Sequence, residues 1–393
     1  MAERWRWAGA VILAGAVLAV PFVLLSRNDA SPSGRLVAGD EAANGRGAST
    51  TTPGRPGTTG AAGPGTAGSA TTAGAGAGAG PRRGSGQPVT LAFGGDVHFE
   101  GQLANRLAAD PDIALAALEP MMADADLAMV NLETAITTRG TAAPGKAYTF
   151  RAPATALQAL KAAGVDVASM ANNHGLDYGP AGLSDSLTAI KQSGFPVLGI
   201  GANVADALAP YRTTIKGQRI SIIAATQVLD ANLVTAWTAT ENHGGLATAA
   251  DTEHLVAAVQ QARATSDTVV VYLHWGTELQ TCPNSAQGPL AERLTAAGAD
   301  VVVGSHAHRL LAGGHLGSAY VDYGLGNFAF YTNSGPTTES GVVTLTVTGR
   351  DVDHATFAPA QLQGQVARAL TGAGAAQAVR RWEGLRSCAG LAP

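Results

Sequence analysis

Side chains that commonly bind metal ions recur in this 393-residue sequence just after short apolar runs. They fall in five segments, namely Gly94-Gly95-Asp96-Val97-His98, Asn131-Leu132-Glu133, Ala171-Asn172-Asn173-His174, His274-Trp275-Gly276-Thr277-Glu278 and Gly304-Ser305-His306-Ala307-His308. Imidazole nitrogens together with carboxylate and amide oxygens suit divalent transition metals such as Mn, Zn or Fe. A single His-x-His pair would be weak evidence, but five such segments together predict a metal site.

The elements that must position these segments follow from hydrophobic periodicity. Short apolar runs predict strands at 89–93, 127–130, 165–170, 220–225, 269–273 and 301–303, and helical spacing predicts helices at 102–109, 113–123, 156–163, 183–193, 252–265 and 289–297. This alternation predicts an α/β domain with largely parallel strands. Ligands of such sheets bind outside the carboxyl ends of the strands, so the five segments should converge there. Asp96 with His98, and His306 with His308, are expected to lie on one side of an extended segment.

The C-terminal part of the sequence changes character. Strands are predicted at 320–330, 342–347 and 354–358, followed by a terminal helix from about 366 to 386. The two cysteines, Cys282 and Cys388, could form a disulfide if the domain is exported, and two unpaired buried thiols are the alternative.

The N-terminal part predicts export and membrane attachment. Residues 1–27 are interpreted as a cytoplasmic stub and a transmembrane signal anchor, because the apolar run 8–25 follows Arg4 and Arg6. A cleaved signal peptide is the alternative. Residues 28–87 are rich in Gly, Ala, Thr and Pro, which predicts a disordered linker. The main domain is therefore expected to be extracytoplasmic and held at the cell membrane by a single pass.

The net charge of the chain limits the classes of partner that it is expected to bind. A formal net charge of -4 argues against a broad basic surface, so nucleic acid is not an expected partner. Arg151 is a candidate for binding an anionic group of a substrate, because a guanidinium matches carboxylate or phosphate. Glu278 is either a carboxylate that orients His274 or His98 through a ring N–H, or a solvated loop residue.

The order of the motifs carries a resemblance. Gly-Asp-x-His, Asn-Leu-Glu, Asn-Asn-His-Gly-x-Asp-x-Gly, His-Trp-Gly-x-Glu, Gly-x-His-x-His and Leu-Gly-Asn-Phe resemble, over about residues 88–360, the CapA family of poly-γ-glutamate capsule proteins. That family is a branch of the calcineurin-like metallophosphoesterases. The resemblance implies a four-layer αββα sandwich at 88–363, followed by a C-terminal helix and tail at 364–393, and two divalent transition metal ions.

The resemblance also implies roles for individual residues. The first metal would be held by Asp96, His98 and His308, the second by Asn173, His274 and His306, and Glu133 would bridge the two. His174 would act as general acid or stabilise the transition state, and Asp177 would orient its ring.

Two functions follow from this reading. The first is a membrane-anchored, extracytoplasmic metal-dependent hydrolase, which would act on a phosphorylated substrate or on an anionic polymer such as poly-γ-glutamate. The second is a non-enzymatic component of polymer export or assembly that uses the same pocket for binding. Capsule-synthesis membrane proteins are candidate partners in either case. His174 and Asp177 favour catalysis, because metal binding alone does not require them.

Overall fold

Apolar strands build two large β-sheets and two small two-stranded sheets in the computed structural model, which describes residues 84–393. The predicted anchor and all but the end of the predicted linker lie outside the described residues. Numbered along the chain, the strands are β1 Val89–Val97, β2 Leu127–Leu132, β3 Ala135–Ile136, β4 Arg151–Ala152, β5 Val167–Ser169, β6 Val197–Leu198, β7 Ile200–Gly201, β8 Tyr211–Ile215, β9 Gln218–Thr226, β10 Gly245–Leu246, β11 Thr268–His274, β12 Val301–Ser305, β13 Gly313–Leu316, β14 Ala319–Asp322, β15 Asn327–Ala329, β16 Glu339–Thr348, β17 Asp351–Gln363 and β18 Val366–Ala369.

The helices lie mainly between the parallel strands. They are α1 Gln102–Ala109, α2 Glu119–Met122, α3 Thr155–Ala162, α4 Gly179–Ser193, α5 Val204–Ala207, α6 Val234–Trp237, α7 Thr252–Thr265, α8 Gln287–Ala297 and α9 Gly372–Gly384. Within residues 84–393, the structure contains no helix with the length and apolar character that a bilayer crossing requires.

The larger sheet has eight strands in the order β15-β18-β17-β16-β1-β2-β5-β6, and the smaller has six in the order β13-β14-β12-β11-β9-β8. In the larger sheet β1, β2, β5 and β6 pair in parallel. In the smaller sheet β9, β11, β12 and β14 do the same. The other pairings of both sheets are antiparallel, except that of β1 with β15, so the predicted α/β fold is confirmed as a mixed one, and the prediction of largely parallel strands holds mainly for these central strands.

Side-chain alternation along the strands separates three apolar clusters. Leu91 and Phe93 of β1 share the cluster between the two sheets with Ile222 of β9 and Val270 of β11. The outer face of the larger sheet packs on α1, α3 and α4, and the outer face of the smaller sheet packs on α7 and α8. Helices thus cover both outer faces, and the two sheets meet in the middle.

Two element predictions were wrong for local reasons. The helix predicted at 113–123 is reduced to α2, because Pro120 has no N–H to bond to a preceding turn and is accommodated only at the start of a helix. The predicted terminal helix begins at Gly372 and not near residue 366. Gly364 and Gln365 have φ angles of 57° and 74°, as a two-residue hairpin turn requires, so residues 366–369 return as strand β18.

The C-terminal tail is attached covalently to the main fold. A disulfide joins Cys282, in the loop that follows β11, to Cys388, which follows α9, and their Cα atoms are 5.7 Å apart.

Candidate metal centre

The carboxyl ends of strands from both sheets bring the predicted ligands together. Asp96 lies near the end of β1, Glu133 directly follows β2, His274 ends β11 and His306 directly follows β12. All four side chains are buried. Gly95 allows this convergence, because a Cβ at that position would lie 1.9 Å from the carbonyl oxygen of Gly326.

The ligand atoms form two groups that share one carboxylate. Glu133, His274 and His306 form one group, and Asp96, Glu133 and His308 form the other, with the ligand atoms of each group within 4.8 Å of one another. Glu133 therefore occupies the place between the groups that a bridging carboxylate would need.

The distances around His274 fit a metal ion. Its Nε2 lies 2.8 Å from Asn173 Oδ1, 3.1 Å from His306 Nδ1 and 3.8 Å from Glu133 Oε1. Two ligand atoms that bind one ion at about 2.1 Å lie roughly 3.0–3.4 Å apart in octahedral or tetrahedral geometry. The two nitrogens have this spacing, whereas the amide oxygen of Asn173 lies slightly closer to His274 Nε2 and Glu133 Oε1 lies slightly farther away.

The environment of Glu133 is a second, independent indication that the site suits a metal ion. Its side chain is fully buried, and neither carboxylate oxygen has a hydrogen-bond partner among the residues that the structure describes. Burial raises the pKa of Glu133 well above its usual range, and the nearby Asp96 raises it further. An ionised carboxylate in this place needs a cation. The donor set therefore fits divalent metal ions.

His308 also lies where the surrounding carboxylates favour a positive charge. Burial alone would lower its pKa, but Glu133, Asp96 and Asn327 outweigh burial and raise the pKa to about 9. Its Nδ1 lies 2.8 Å from Asn327 Oδ1 and 3.4 Å from Asp96 Oδ2. By contrast, burial and the neighbouring His308 lower the pKa of His306 to about 3. The two carboxylates near His308, Glu133 and Asp96, thus favour the protonated, positively charged form of its ring.

The period-2 pattern predicts an extended backbone at His306 and His308, and that prediction is wrong. Their φ angles are 96° and 52°, in the left-handed region that residues other than glycine rarely adopt. The two rings consequently join different groups, His306 with His274 and His308 with Asp96. Backbone strain at two successive ligands is typical of functional sites.

His98 lies outside both groups, so its predicted role as a ligand of the first metal stays a prediction. Its Nε2 accepts a hydrogen bond from the Tyr331 N–H at 2.8 Å, and the ring stacks on Phe330 with centroids 4.0 Å apart. Burial, with contributions from His174 and His308, lowers the pKa of His98 well below its usual value, so the ring is neutral. With Nε2 accepting, a neutral ring carries its proton on Nδ1, which is buried and has no hydrogen-bond partner among the described residues.

Buried amides and a hydroxyl orient the ligands. Asn131 Nδ2 donates to Asp96 Oδ1 at 2.8 Å, and Asn172 Nδ2 donates to Asn131 Oδ1 at 3.0 Å. The Nδ1 of His274 lies 3.0 Å from Ser305 Oγ, and donation there leaves Nε2 free to bind a metal. Both asparagines stand at strand ends in the sequence, which is the signal that could have identified them as positioning residues.

Glu278 does not orient a ligand histidine. Its side chain is exposed. The ring nitrogen of His274 that faces away from the ligand group contacts Ser305 and Asn131 instead. Of the two readings of Glu278, the structure supports the solvated loop residue.

His174 and Asp177 form a buried pair beside the metal ligands. The Nδ1 of His174 lies 2.6 Å from Asp177 Oδ2, and its Nε2 lies 3.8 Å from Glu133 Oε1. Burial lowers the pKa of His174, and Asp177 opposes that effect. Phe150 stacks on the ring at 4.1 Å and donates its N–H to Asp177 Oδ2 at 2.6 Å.

Lys146 is a site residue that sequence reasoning missed. Its side chain is 5% exposed, and its Nζ lies 2.8 Å from Asp177 Oδ1 and 3.3 Å from Asp230 Oδ2. It also donates to the carbonyl oxygen of Asn173. Lys146 thus connects the His174–Asp177 pair to the metal-ligand loop. Nothing in its sequence neighbourhood, Pro-Gly-Lys-Ala, distinguishes it from a solvated loop lysine.

Arg151 lies at the margin of the site. Its side chain is exposed, and its guanidinium stacks on the ring of Tyr178 at 4.7 Å. It directly follows Phe150 in the chain, so it stands next to the His174–Asp177 pair without joining the ligand groups.

Fold and site together define a mixed α/β protein with a buried cluster of Asp, Glu and His side chains at its strand ends that could hold metal ions. The chain belongs to the bacterial capsule synthesis protein family PGA_cap, whose family model matches residues 90–332.

Curated relatives agree with this placement. The capsule biosynthesis protein CapA of Bacillus anthracis is 32% identical over 189 residues, which cover 48% of this chain and 45% of that protein. The PGA biosynthesis protein CapA of Bacillus subtilis is 29% identical over 254 residues, which cover 62% of this chain and 66% of that protein. A probable polyglutamine synthesis accessory protein of Mycobacterium tuberculosis is 29% identical over 201 residues, or 50% of this chain and 52% of that protein. The chain therefore covers less than two thirds of the length of each of these relatives.

Among solved structures, a putative 5′-nucleotidase from Staphylococcus aureus superposes with a TM-score of 0.41 at 14% identity. The match covers 76% of this chain and 58% of that chain.

Proposed function

We propose that this protein is a two-metal hydrolase of phosphoester bonds that acts in the assembly of a capsule polymer such as poly-γ-glutamate. The observation that carries the proposal is Glu133, a buried carboxylate without a hydrogen-bond partner among the described residues, which belongs to two ligand groups at once. Asp96 and His308 would hold one ion, and the loop that bears Asn173, with His274 and His306, would hold the other.

The bound ions would supply Lewis acidity and a nucleophile at neutral pH, which is the chemistry that two-metal sites provide for displacement at phosphorus. The residues of the chain supply the rest. Asp177 accepts a hydrogen bond from the Nδ1–H group of His174 and so leaves Nε2 to exchange a proton with the substrate. Phe150 covers the ring and excludes water from it. Arg151, exposed beside this pair, could bind an anionic group of the substrate.

The proposal includes the place where the reaction occurs. Residues 1–27 would anchor the chain in the cell membrane, and residues 28–87 would form a flexible tether to the domain on the extracytoplasmic side. Membrane proteins of capsule synthesis would be its partners there.

The test combines metal analysis with turnover of an aryl phosphate monoester and diester by the same preparation. We expect about two ions per chain and a rate that falls by 10²–10⁴ in His174→Ala, which is the range for loss of general acid–base catalysis. Exposed His354 on β17 gives the matched control, and His354→Ala should retain metal and rate. A His174→Ala protein that keeps both its metal and its full rate would contradict the proposed role of His174.

A second function is polymer handling without hydrolysis. The printed name of the Mycobacterium tuberculosis relative, a probable accessory protein of polyglutamine synthesis, favours it. It predicts two bound ions without turnover of either phosphoester, and binding of γ-linked glutamate oligomers that is lost in Glu133→Gln.

A further inference from the structure

The loop between β3 and β4 places a lysine side chain in the protein interior. Residues 138–149 of this loop are exposed or half-buried, but the side chain of Lys146 is only 5% exposed. The side chain of Arg139, in the same loop, is 68% exposed. Burying an ammonium group is costly unless the group is paired and hydrogen-bonded. The partners of Lys146 must therefore offset this cost.

Those partners belong to two other loops, one from each large sheet. The Nζ atom of Lys146 lies 2.8 Å from Asp177 Oδ1 and donates a hydrogen bond to the carbonyl oxygen of Asn173. Both residues follow β5 of the larger sheet. The same Nζ atom lies 3.3 Å from Asp230 Oδ2 and 4.9 Å from the ring centroid of Trp237. These two residues follow β9 of the smaller sheet, so one ammonium group joins loops from both sheets.

One of these contacts holds the backbone of a proposed metal ligand. The side-chain oxygen Oδ1 of Asn173 lies 2.8 Å from His274 Nε2, and the main-chain oxygen of the same residue accepts the hydrogen bond from Lys146. Groups that hydrogen-bond to metal-binding residues orient those residues, and their removal typically weakens metal binding by about 10–100-fold. Lys146 is therefore placed to affect the metal site without binding a metal ion.

A second contact belongs to a set that fixes the loop itself. Asp177 binds the loop at three points: its carbonyl oxygen accepts from the Ala143 N–H at 2.8 Å, its Oδ2 accepts from the Phe150 N–H at 2.6 Å, and its Oδ1 pairs with Lys146. The same Oδ2 atom lies 2.6 Å from His174 Nδ1. The position of the loop and the orientation of His174 thus depend on one carboxylate, and Lys146 holds that carboxylate from the side opposite His174.

The loop ends in residues that adjoin the proposed reaction. Phe150 stacks on the ring of His174 with centroids 4.1 Å apart, and Arg151, the candidate for binding an anionic group of the substrate, follows it directly. A displacement of about 1 Å in groups that position a substrate can lower a rate by about 10²-fold. Release of the loop would therefore disturb substrate binding and proton transfer together.

We propose that Lys146 is a positioning residue, which fixes Asn173 in the metal site and fixes Asp177 and the loop 143–151 around His174. Its effect on turnover rests on the proposed function. Its effect on the loop does not, because the contacts that hold the loop form without substrate or metal.

The first test measures metal affinity and hydrogen exchange in the full chain. Lys146→Met should bind Mn²⁺ about 10–100-fold more weakly in competition with a chelator. In the metal-free protein its backbone amides at 143–150 should exchange about tenfold faster. Asp230→Asn removes the partner that is 41% exposed and leaves Asp177 paired, so it should change both quantities in the same direction by a smaller factor. Arg139→Met is the matched control from the same loop and should change neither.

The second test separates positioning from a purely structural role. At saturating Mn²⁺, with an aryl phosphate monoester, kcat of Lys146→Met should fall about 10²-fold and KM should rise several-fold, because His174 and Arg151 are both displaced. Circular dichroism of the same samples gives the folded fraction. A residue that only stabilises the fold would leave kcat and KM per folded molecule unchanged.

The outcomes distinguish this inference from the proposed function. Unchanged Mn²⁺ affinity and unchanged exchange in folded Lys146→Met, or in Asp230→Asn if Lys146→Met does not fold, would overturn the positioning role. Hydrolysis by the unmodified protein with kcat and KM unaltered in folded Lys146→Met would overturn it as well and leave the proposed function intact. Faster loop exchange in the variants of a protein that hydrolyses neither phosphoester would refute only the proposed function.

Discussion

The Nε2 atom of His174 lies 3.8 Å from Oε1 of Glu133, and the Nε2 atom of His274 lies at the same distance from that oxygen. One carboxylate oxygen therefore faces both a histidine of the metal-ligand group and the histidine proposed to exchange a proton with the substrate. Neither histidine donates to it, because it has no hydrogen-bond partner in the described part of the chain. The distance between these side chains is fixed by buried contacts, of which Lys146 makes several.

We predict that Lys146→Met destabilises the fold by about 3–5 kcal/mol, because it leaves the fully buried carboxylate of Asp177 without its cation. Chemical denaturation would measure the free energy of unfolding. Adding Asp177→Asn to Lys146→Met should recover part of that loss, since the double variant no longer has an unpaired buried carboxylate at Asp177, and Asp230, the other partner of Lys146, is 41% exposed. Lys191→Met, an exposed lysine on α4, serves as control and should change the stability by less than about 0.5 kcal/mol. Additive effects of the two substitutions would contradict the coupling.

The positions of the ligands could be predicted from the sequence, because the carboxyl ends of parallel strands share one edge of a sheet. Asp96, Glu133 and His274 each follow an apolar run, and that pattern alone brings them together. The tautomer and the hydrogen-bond partners of each imidazole could not be predicted. The hydrogen-bond donor to His98 Nε2 is the backbone N–H of Tyr331, 233 residues further along the chain. Sequence spacing carries no information about such a contact.

The same limit applied to local backbone conformation. His-x-His suggested an extended segment, but His306 and His308 adopt left-handed φ angles that only the surrounding fold can impose. Gly364 and Gln365 form the hairpin turn with left-handed φ angles, but glycine followed by glutamine is not among the commonest turn pairs, so the local sequence does not predict it. Global pattern thus predicted the sheets and the site, whereas turns and tautomers depended on tertiary contacts.

We predict that a buried carboxyl outside the two ligand groups, that of Asp322, makes stability depend on pH. Burial raises the pKa of Asp322 to about 7. Because this folded-state pKa lies above that of an unfolded aspartate, about 3.9, the contribution of Asp322 to stability is complete below pH ~4 and is lost as pH rises to about 7. The loss is on the order of 4 kcal/mol. Asp322→Asn should flatten the pH dependence of the free energy of unfolding over this window, and Asp124→Asn, at an exposed position, should not. An unchanged slope in Asp322→Asn would refute the assignment.

We predict that the disulfide is a large part of the stability of the domain. It closes a loop with a sequence separation of 106 residues, and disulfides that close loops of this length stabilise typical domains by about 2–5 kcal/mol. Cys282→Ser with Cys388→Ser should lower the melting temperature, and reductant should have no further effect on that double variant. Reductant that leaves the melting temperature of the unmodified protein unchanged, while free thiols are shown to form, would contradict this prediction.

We predict that Glu133 destabilises the folded protein without metal and stabilises it when metal is bound. Without metal, the buried carboxylate has no hydrogen-bond partner among residues 84–393 and burial raises its pKa, so Glu133→Gln should be as stable as the unmodified protein or more stable at neutral pH. With Mn²⁺ or Zn²⁺ the order should reverse, because a ligand that binds the folded state at 100 times its dissociation constant stabilises it by about 2.7 kcal/mol. Melting temperatures of both proteins, with chelator and with each metal, would show the crossover. Gln227→Glu, at a half-buried position after β9, controls for added charge near the strand ends and should not gain metal-dependent stability. If Glu133→Gln is destabilised equally with and without metal, then Glu133 acts in packing and not as a ligand.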